Sequence, residues 1–130
     1  MIGIDTSAII DLFKSEKPLI NLLKDIDDKL VSTIINYQEI MFGLDLSNIK
    51  HEIEKDYYES LFEDIKLVFL TKQASQRASE ILWNLKKKGK MIDDFDCMIA
   101  GILLSNGVDK IITKNTKHFE NIKGLKIVSY

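Results

Sequence analysis

The chain has 130 residues, the usual length of one domain with one hydrophobic core. Hydrophobic residues make up 45% of it and charged residues 29%, a composition that excludes a disordered protein. The formal net charge of −2 argues against a broad basic face for nucleic acid, so any such contact must be local.

The first half of the chain predicts strands that alternate with helices. Thr6 or Ser7 is the expected N-cap of the first helix, because a hydroxyl oxygen satisfies a free N–H group at a helix start. Asn36 is the expected N-cap of a later helix, with Glu39 three positions on, at capping-box spacing. The expected elements are a strand at 2–5, a helix after it, a short helix at 18–27, a strand at 30–33, and helices at 36–46 and 50–63.

The second half continues the alternation. Apolar residues at three-and-four spacing predict a long helix at 71–88, and Asn106-Gly107 predicts the end of the next helix. The expected elements are a strand at 66–70, helices at 71–88 and from 93 or 94 to 105, a strand at 110–113, a turn or helix at 117–121, and a strand at 126–129. This order predicts an α/β fold over residues 1–130, with helices on both faces of a mostly parallel sheet of about five strands.

Asp5 places a carboxylate at the end of the first predicted strand, which should be buried. A buried carboxylate needs a cation, a shell of hydrogen bonds or a metal ion. Ligands of parallel α/β sheets bind beyond the carboxyl ends of the strands, and Thr113 follows another strand at such an end.

Glu39 is the first acid that we expect near Asp5. Its predicted helix is hydrophobic nearly all round, so a carboxylate there needs a reason. The capping box with Asn36 is one explanation and a functional site is another, and both can hold.

The stretch MIDDFDCMIAG supplies further acids. Asp93 and Asp96 are three residues apart and share a helix face, while Asp94 is expected to point elsewhere. Helix capping explains Asp93 as well as function does. Asp96 lies among apolar residues such as Phe95 and Cys97, most of which should be buried, so a functional role is favoured for it.

The stretch ITKNTKHF follows the fourth predicted strand. Thr113 and Asn115 offer neutral oxygens, and the group of positive side chains Lys114, Lys117 and His118 would suit phosphate beside a carboxylate cluster. Taken singly, each of these residues fits an ordinary polar loop. His51 and His118 are far apart in the sequence, and both are expected to be isolated surface residues.

Carboxylates that converge repel one another, and a hard divalent cation relieves the repulsion. Mg²⁺ prefers oxygen ligands and often joins one or two carboxylates to a substrate phosphate, whereas zinc favours the Cys and His clusters that this chain lacks. The chemistry that this combination predicts is metal-assisted hydrolysis of a phosphodiester.

Four stretches in this order, MIGIDTSAIIDLF, NYQEIMFGL, DDFDCMIAGILLSNG and IITKNTKHF, resemble the PIN-domain family, and within it the VapC-type toxins of toxin–antitoxin pairs. The resemblance spans essentially the whole chain. It implies a single PIN-like α/β/α domain, RNA cleavage that depends on Mg²⁺ or Mn²⁺, a homodimer, and inhibition by an antitoxin.

The resemblance also implies roles for individual residues. Asp5, Glu39 and Asp96 match the three metal-binding acids, and Asp93 matches an additional catalytic acid of some members. Ser7 matches a small polar residue beside the first acid. As hypotheses of our own, we expect Ser7, Thr113 and Asn115 to form hydrogen bonds around the acids, and Lys114 and Lys117 to contact RNA phosphates.

The chain departs from the family pattern at Asn115, where members often carry a fourth acid. We therefore expect one firmly held ion and a second that arrives with the substrate. The departure also keeps open a PIN-like module that binds RNA or a partner without cutting. A phosphoacceptor receiver and a haloacid-dehalogenase-like phosphatase fit less well, since no Asp-Asp pair follows the first strand and Ser7 stands where the phosphatase has Asp.

Two further patches have alternative interpretations. The basic run at 86–90 fits a helix C-terminus and solubility better than RNA contact. Tyr57 and Tyr58 fit either a partner surface or half-buried packing.

No apolar run is long enough for a membrane span, and no secretory leader is expected. The single Cys97 excludes an intramolecular disulfide, which suits a reducing compartment. We therefore predict a cytoplasmic protein with no membrane contact.

Overall fold

Five short strands form the centre of the domain in the computed structural model, which describes all 130 residues. They are β1 (Ile2–Ile4), β2 (Leu30–Thr33), β3 (Lys66–Val68), β4 (Lys110–Ile112) and β5 (Lys126–Val128). All neighbours pair in parallel in the order β3-β2-β1-β4-β5, so β1 lies in the middle, where Gly3 pairs with both Val31 and Ile111. The predicted α/β class with about five parallel strands is confirmed.

Seven α-helices connect and cover the strands. They are α1 (Thr6–Phe13), α2 (Lys17–Asp25), α3 (Ile34–Phe42), α4 (Glu52–Asp64), α5 (Lys72–Lys87), α6 (Asp94–Ser105) and α7 (Thr116–Phe119), with a 3-10 turn at Ile49–His51. None of them combines the length and the apolar character that crossing a membrane would require.

The helices form two layers because the sheet is apolar on both faces. One core packs α5 and α6 against the sheet, with Ile81, Ile102 and Phe119 among its buried residues. The other core packs α1 to α4 against the opposite face, around Ile9 and Ile40. Parallel strands buried on both sides in this way give a three-layer α/β/α domain.

Helix α3 begins earlier than the sequence predicts. Its N-cap is Thr33, the last residue of β2, whose Oγ1 accepts a hydrogen bond from the Asn36 backbone N–H at 3.1 Å. Asn36 Oδ1 in turn accepts from the Thr33 backbone N–H at 3.3 Å, which completes a capping box. The predicted cap at Asn36 is therefore wrong, and Glu39 lies in the middle of the helix, where capping cannot explain it.

Tyr57 and Tyr58 pack inside the domain. Tyr58 is buried, and the Phe13 ring lies 5.0 Å from the Tyr57 ring and 5.5 Å from the Tyr58 ring, centroid to centroid. Such aromatic contacts belong to a core, so packing is the interpretation that the structure favours for this pair.

The strand order creates a crevice at the carboxyl edge of the sheet. After β1 the chain adds β2 and β3 on one side, and then it crosses over to place β4 and β5 on the other. Connections therefore leave β1 and β4 in opposite directions, and the carboxyl ends of these two strands are left open. Asp5 and Thr113 follow these strands directly.

Helices α5 and α6 touch through their backbones at Gly101, and replacing that residue with alanine should destabilise the fold. A Cβ atom there would lie 2.7 Å from the Ala78 backbone nitrogen and 2.8 Å from the Ala74 carbonyl oxygen. Because a backbone cannot rotate away as a side chain can, we expect Gly101→Ala to lower the free energy of unfolding by about 1–3 kcal/mol. Urea denaturation followed by circular dichroism measures this loss.

The control for this experiment is Gly43→Ala. A Cβ atom at Gly43 meets nothing closer than the Ile40 carbonyl oxygen at 3.4 Å, so the urea midpoint should stay the same or rise slightly. Equal urea midpoints for the two variants would show that α5 and α6 can move apart around the added methyl group without a loss of stability.

Candidate active site

A cleft of about 830 Å³ opens at the carboxyl edge of the sheet, where α1, α3 and α6 converge. Sixteen residues line it, and the acids among them are Asp5, Asp11, Glu39, Asp93, Asp94 and Asp96. The lining side chains that carry positive charge are Lys14, Lys114 and, when protonated, His118. The fold thus brings together all four acids that the sequence singled out, in a region with few opposing charges.

Asp5 is the most enclosed of the four acids that the sequence singled out, with 4% of its surface exposed. Its Oδ1 accepts a hydrogen bond from Asn36 Nδ2 at 3.1 Å. Its Oδ2 accepts from Thr113 Oγ1 at 2.8 Å and from Ser7 Oγ at 3.3 Å. Neutral donors therefore hold this buried carboxylate in one orientation, and no lysine or arginine is needed to compensate its charge.

The side chains at the start of α1 form hydrogen bonds across the cleft and do not cap the helix. Asp5 occupies the N-cap position, but its side chain makes no capping hydrogen bond. Thr6 Oγ1 donates to Glu39 Oε1 at 2.7 Å, while Ser7 Oγ accepts from the Lys114 backbone N–H at 3.1 Å. The prediction that Thr6 or Ser7 caps α1 is wrong, because both hydroxyls bond to residues across the cleft.

Asn36 is a site residue that the sequence reasoning missed, since it was identified only as a helix cap. It is 1% exposed, and its Nδ2 donates to Thr6 Oγ1 at 3.0 Å as well as to Asp5. Its Oδ1 accepts from Thr33 Oγ1 at 2.7 Å, so both ends of the amide are engaged. The available signal was a polar amide in the first turn of a largely apolar helix.

Asp96 lies in the first turn of α6 and is 7% exposed. Burial raises the pKa of its carboxyl to about 6, His118 opposes this rise, and the charges of Asp5, Glu39 and Asp93 add to it. His118 Nδ1 lies 3.1 Å from Asp96 Oδ2. His118 is a surface residue as predicted, with nearly half of its side chain exposed, but it is not isolated, because it pairs with Asp96 and lines the cleft.

Glu39 faces the same group of charges from α3. Burial raises the pKa of Glu39, the hydrogen bond from Thr6 opposes the rise, and the charge of Asp5 adds to it. Two acids of the cleft thus have raised pKa values for the same two reasons, which are loss of water and repulsion by neighbouring carboxylates.

The other predicted residues surround this centre at different depths. Asp93 is exposed at the N-cap position of α6 without capping it, and Asp94 also borders the cleft, although we expected it to point elsewhere. Asn115 lines the cleft, and its backbone N–H donates to Thr113 Oγ1 at 3.0 Å. Lys117 is exposed on α7 and is not among the residues that line the cleft.

Lys114 is paired with an acid that the sequence reasoning did not single out. Its Nζ lies 3.0 Å from Oδ2 of Asp11, which is 2% exposed, and Tyr130 donates its hydroxyl hydrogen to the same oxygen at 2.6 Å. Burial raises the pKa of Asp11, but hydrogen bonds from Tyr130 and Lys114 and the charges of Lys114 and Lys14 outweigh it, so the net shift is downward. This pair ties the segment after β4 to α1.

The donors of the cleft fit a hard divalent cation. Carboxylate oxygens dominate, and no cysteine lines the cleft, so the set suits Mg²⁺ or Mn²⁺ better than zinc. No three acidic, histidine or cysteine side chains are arranged to hold an ion directly. Mg²⁺ commonly keeps several waters and uses one or two protein carboxylates, so direct ligation by three acids is not required.

Three kinds of comparison with known proteins agree: with a family model, with a related sequence and with solved structures. A family model described as PIN domain matches residues 2–125. Ribonuclease VapC1 of Methanocaldococcus jannaschii is 35% identical over 126 residues, which are 95% of this chain and 84% of that protein.

Two solved structures share the fold over nearly all of their length. The first, VapBC2 from Rickettsia felis bound to a promoter DNA fragment, matches with a TM-score of 0.86 and 19% identity over 100% of this chain and 99% of that one. The second, VapBC-1 from nontypeable Haemophilus influenzae, matches with a TM-score of 0.80 and 29% identity over 99% and 98%.

The burial of the Asp96 carboxylate, together with repulsion by the neighbouring acids, predicts that Asp96→Asn stabilises the protein in EDTA. A folded-state pKa near 6, above the ordinary 3.8, opposes folding at neutral pH, and this effect disappears below both values. We expect the variant to gain about 2 kcal/mol in free energy of unfolding near pH 7 and nothing near pH 3.5. Urea denaturation at both pH values measures the gain.

Asp94→Asn is the matched control, since it removes an exposed charge from the same helical turn. It should leave the midpoint unchanged or slightly lower, because an acid in a first turn favours the helix. A gain as large as that of Asp96→Asn would mean that net charge, rather than buried repulsion, is responsible.

Proposed function

Because the chain belongs to the PIN-domain family, we propose that it is a metal-dependent endoribonuclease that hydrolyses RNA phosphodiester bonds. The observation that carries this proposal is the meeting of Asp5, Glu39 and Asp96 in one cleft, where burial and the charge of Asp5 raise the pKa values of Glu39 and Asp96. A VapC ribonuclease at 35% identity supports RNA as the substrate.

Asp5 and Asp96 would hold Mg²⁺ or Mn²⁺. Bound there, the ion would supply charge neutralisation at a phosphoryl oxygen and a more acidic water. Asp5 is suited to this task because Asn36, Thr113 and Ser7 fix both of its oxygens, and Asn115 in turn donates to Thr113.

Glu39 would orient the attacking water and accept its proton. The Thr6 hydroxyl engages Oε1, which leaves Oε2 for this purpose. Burial raises the pKa of Glu39 above its ordinary value, which makes this carboxylate a stronger base than an exposed one. Asp93, exposed at the rim, would assist as a fourth acid.

Lys114 and Lys117 would contact RNA phosphates beside the cleft. Lys117 is exposed on α7. The side chain of Lys114 remains 59% exposed despite its ion pair with Asp11, so its ammonium group can serve both partners.

Cleavage of total cellular RNA tests the catalytic proposal. Purified protein should cut RNA with Mg²⁺ or Mn²⁺ and not with EDTA, and Glu39→Gln and Asp96→Asn should each lower the rate by about 10²-fold or more. Asp109→Asn, which changes an exposed acid outside the cleft, is the control and should keep full activity.

Full activity in Asp96→Asn, or cleavage that EDTA does not affect, would contradict the metal site. No cleavage by any of the proteins, together with retained RNA binding, would favour the binding module that Asn115 leaves open.

We further propose that the chain is the toxin of a toxin–antitoxin pair and forms a homodimer. VapBC-1 from Haemophilus influenzae, at 29% identity, supports a VapB-type partner. An apolar patch (Phe42, Leu46, Ile49 and Ile53) between α3 and the start of α4 is 60–77% exposed, a degree of exposure typical of surfaces that bind protein. We assign the antitoxin to this patch.

The double variant Ile49→Glu/Ile53→Glu should lose binding of the protein encoded beside this gene, because it places charges within the apolar patch. RNA cleavage by the variant alone should be retained. Co-purification and inhibition of cleavage measure the loss, and Lys50→Glu is the control, since it changes charge in the same turn without removing apolar surface. Unchanged inhibition of the double variant would place the partner elsewhere.

A further inference from the structure

Burial is reversed between two neighbouring residues at the start of α6. The carboxylate of Asp96 is buried, whereas Phe95, the aromatic residue before it, is 38% exposed. The sequence analysis placed Phe95 among apolar residues most of which should be buried, so its exposure was not expected. Met91 is 64% exposed, and both apolar side chains line the cleft that holds the acids.

The cleft alone is a poor binding site for a polyanion. Six of its 16 lining residues are acidic, and they repel RNA phosphates even when one cation is bound. Binding must therefore draw on basic residues outside the acidic centre and on contacts that carry no charge. Stacking of a base on an aromatic ring is such a contact, since every base has a flat apolar face.

A basic segment leads to the apolar rim of the cleft, which consists of Phe95 and Met91. Residues 86–90 read KKKGK, and the chain turns at Gly89, whose φ is +66°, before it reaches Met91. Lys88 and Lys90 are both exposed beside that turn. Positive charge followed by exposed aromatic surface is the combination with which proteins hold single-stranded nucleic acid.

We propose that Phe95, flanked by Met91, is the stacking platform for one unpaired base of a single-stranded RNA whose backbone crosses the basic segment (residues 86–90). This inference rests on the proposed ribonuclease function and names the form of its substrate. A base-paired helix would not fit, because its bases present their faces to one another and not to protein.

The size of the rim favours a base over a protein partner. Apart from Phe95 and Met91, only Ile10 and Ile92 contribute apolar lining, and both are partly buried. Specific protein interfaces bury on the order of 1,000 Å² or more, whereas one ring suffices to stack one base. The neighbouring carboxylates would also oppose an apolar protein surface.

Fluorescence of 2-aminopurine tests the proposal without cleavage. Single-stranded RNAs of about 12 nucleotides, each with one 2-aminopurine, are titrated with the protein in EDTA, which keeps the RNA intact. Stacking should quench the probe at one position. Phe95→Ala should abolish the quenching and weaken binding about 10-fold, while Phe95→Tyr should restore both.

The control is Phe69→Ala, which removes a more exposed phenylalanine outside the cleft and should change neither signal. Equal quenching and affinity in Phe95→Ala and the native protein would overturn the proposal. So would a change in oligomeric state of Phe95→Ala, seen by sedimentation velocity with RNA binding intact, which would make the rim a protein interface.

The two proposals fail separately. Because the fluorescence is read in EDTA, an inactive protein can still show base stacking. Conversely, metal-dependent cleavage with no stacking at residue 95 would support the proposed nuclease function and overturn only the proposal that Phe95 stacks a base.

Discussion

The structure depends on holding the buried Asp5 carboxylate in a fixed orientation in the middle of the sheet. β1 is the central strand, so its end meets α1, α3 and the segment after β4 at one point. Asn36 and Thr113 approach Asp5 from two different elements and donate to its two oxygens. Each of these donors also bonds within its own element, which couples the orientation of the acid to the correct folding of the whole edge.

Helix starts around the cleft show how this constraint is met. Asp5, Asp93 and Asn115 all occupy N-cap positions, and none uses its side chain as a cap. Away from the cleft, Thr33 and Thr71 cap their helices in the ordinary way. These side chains, which would contribute about 1 kcal/mol each as caps, line the cleft instead, and this is a typical exchange of stability for function.

The order of elements and the main acids were accessible from the sequence because both depend on local patterns. Alternating strands and helices predicted the parallel sheet, and a carboxylate at the end of a buried strand marked Asp5. What was missed depends on contacts between distant positions. Tyr130 reaches Asp11 across 119 residues, and His118 meets Asp96 only once α6 and α7 are packed. Hydropathy also misplaced Phe95, since an apolar residue on a helix is ordinarily assigned to the core.

The close backbone contact at Gly101 has a further consequence for α6. This helix carries Asp96 and Phe95 in its first turns, and its position against α5 is set by main-chain atoms rather than by adjustable side chains. The main chain that carries Asp96 is therefore held against α5, whatever side chain stands at position 95. On such a helix, the side chain that we propose to stack a base could be exchanged without displacing the carboxylate beside it.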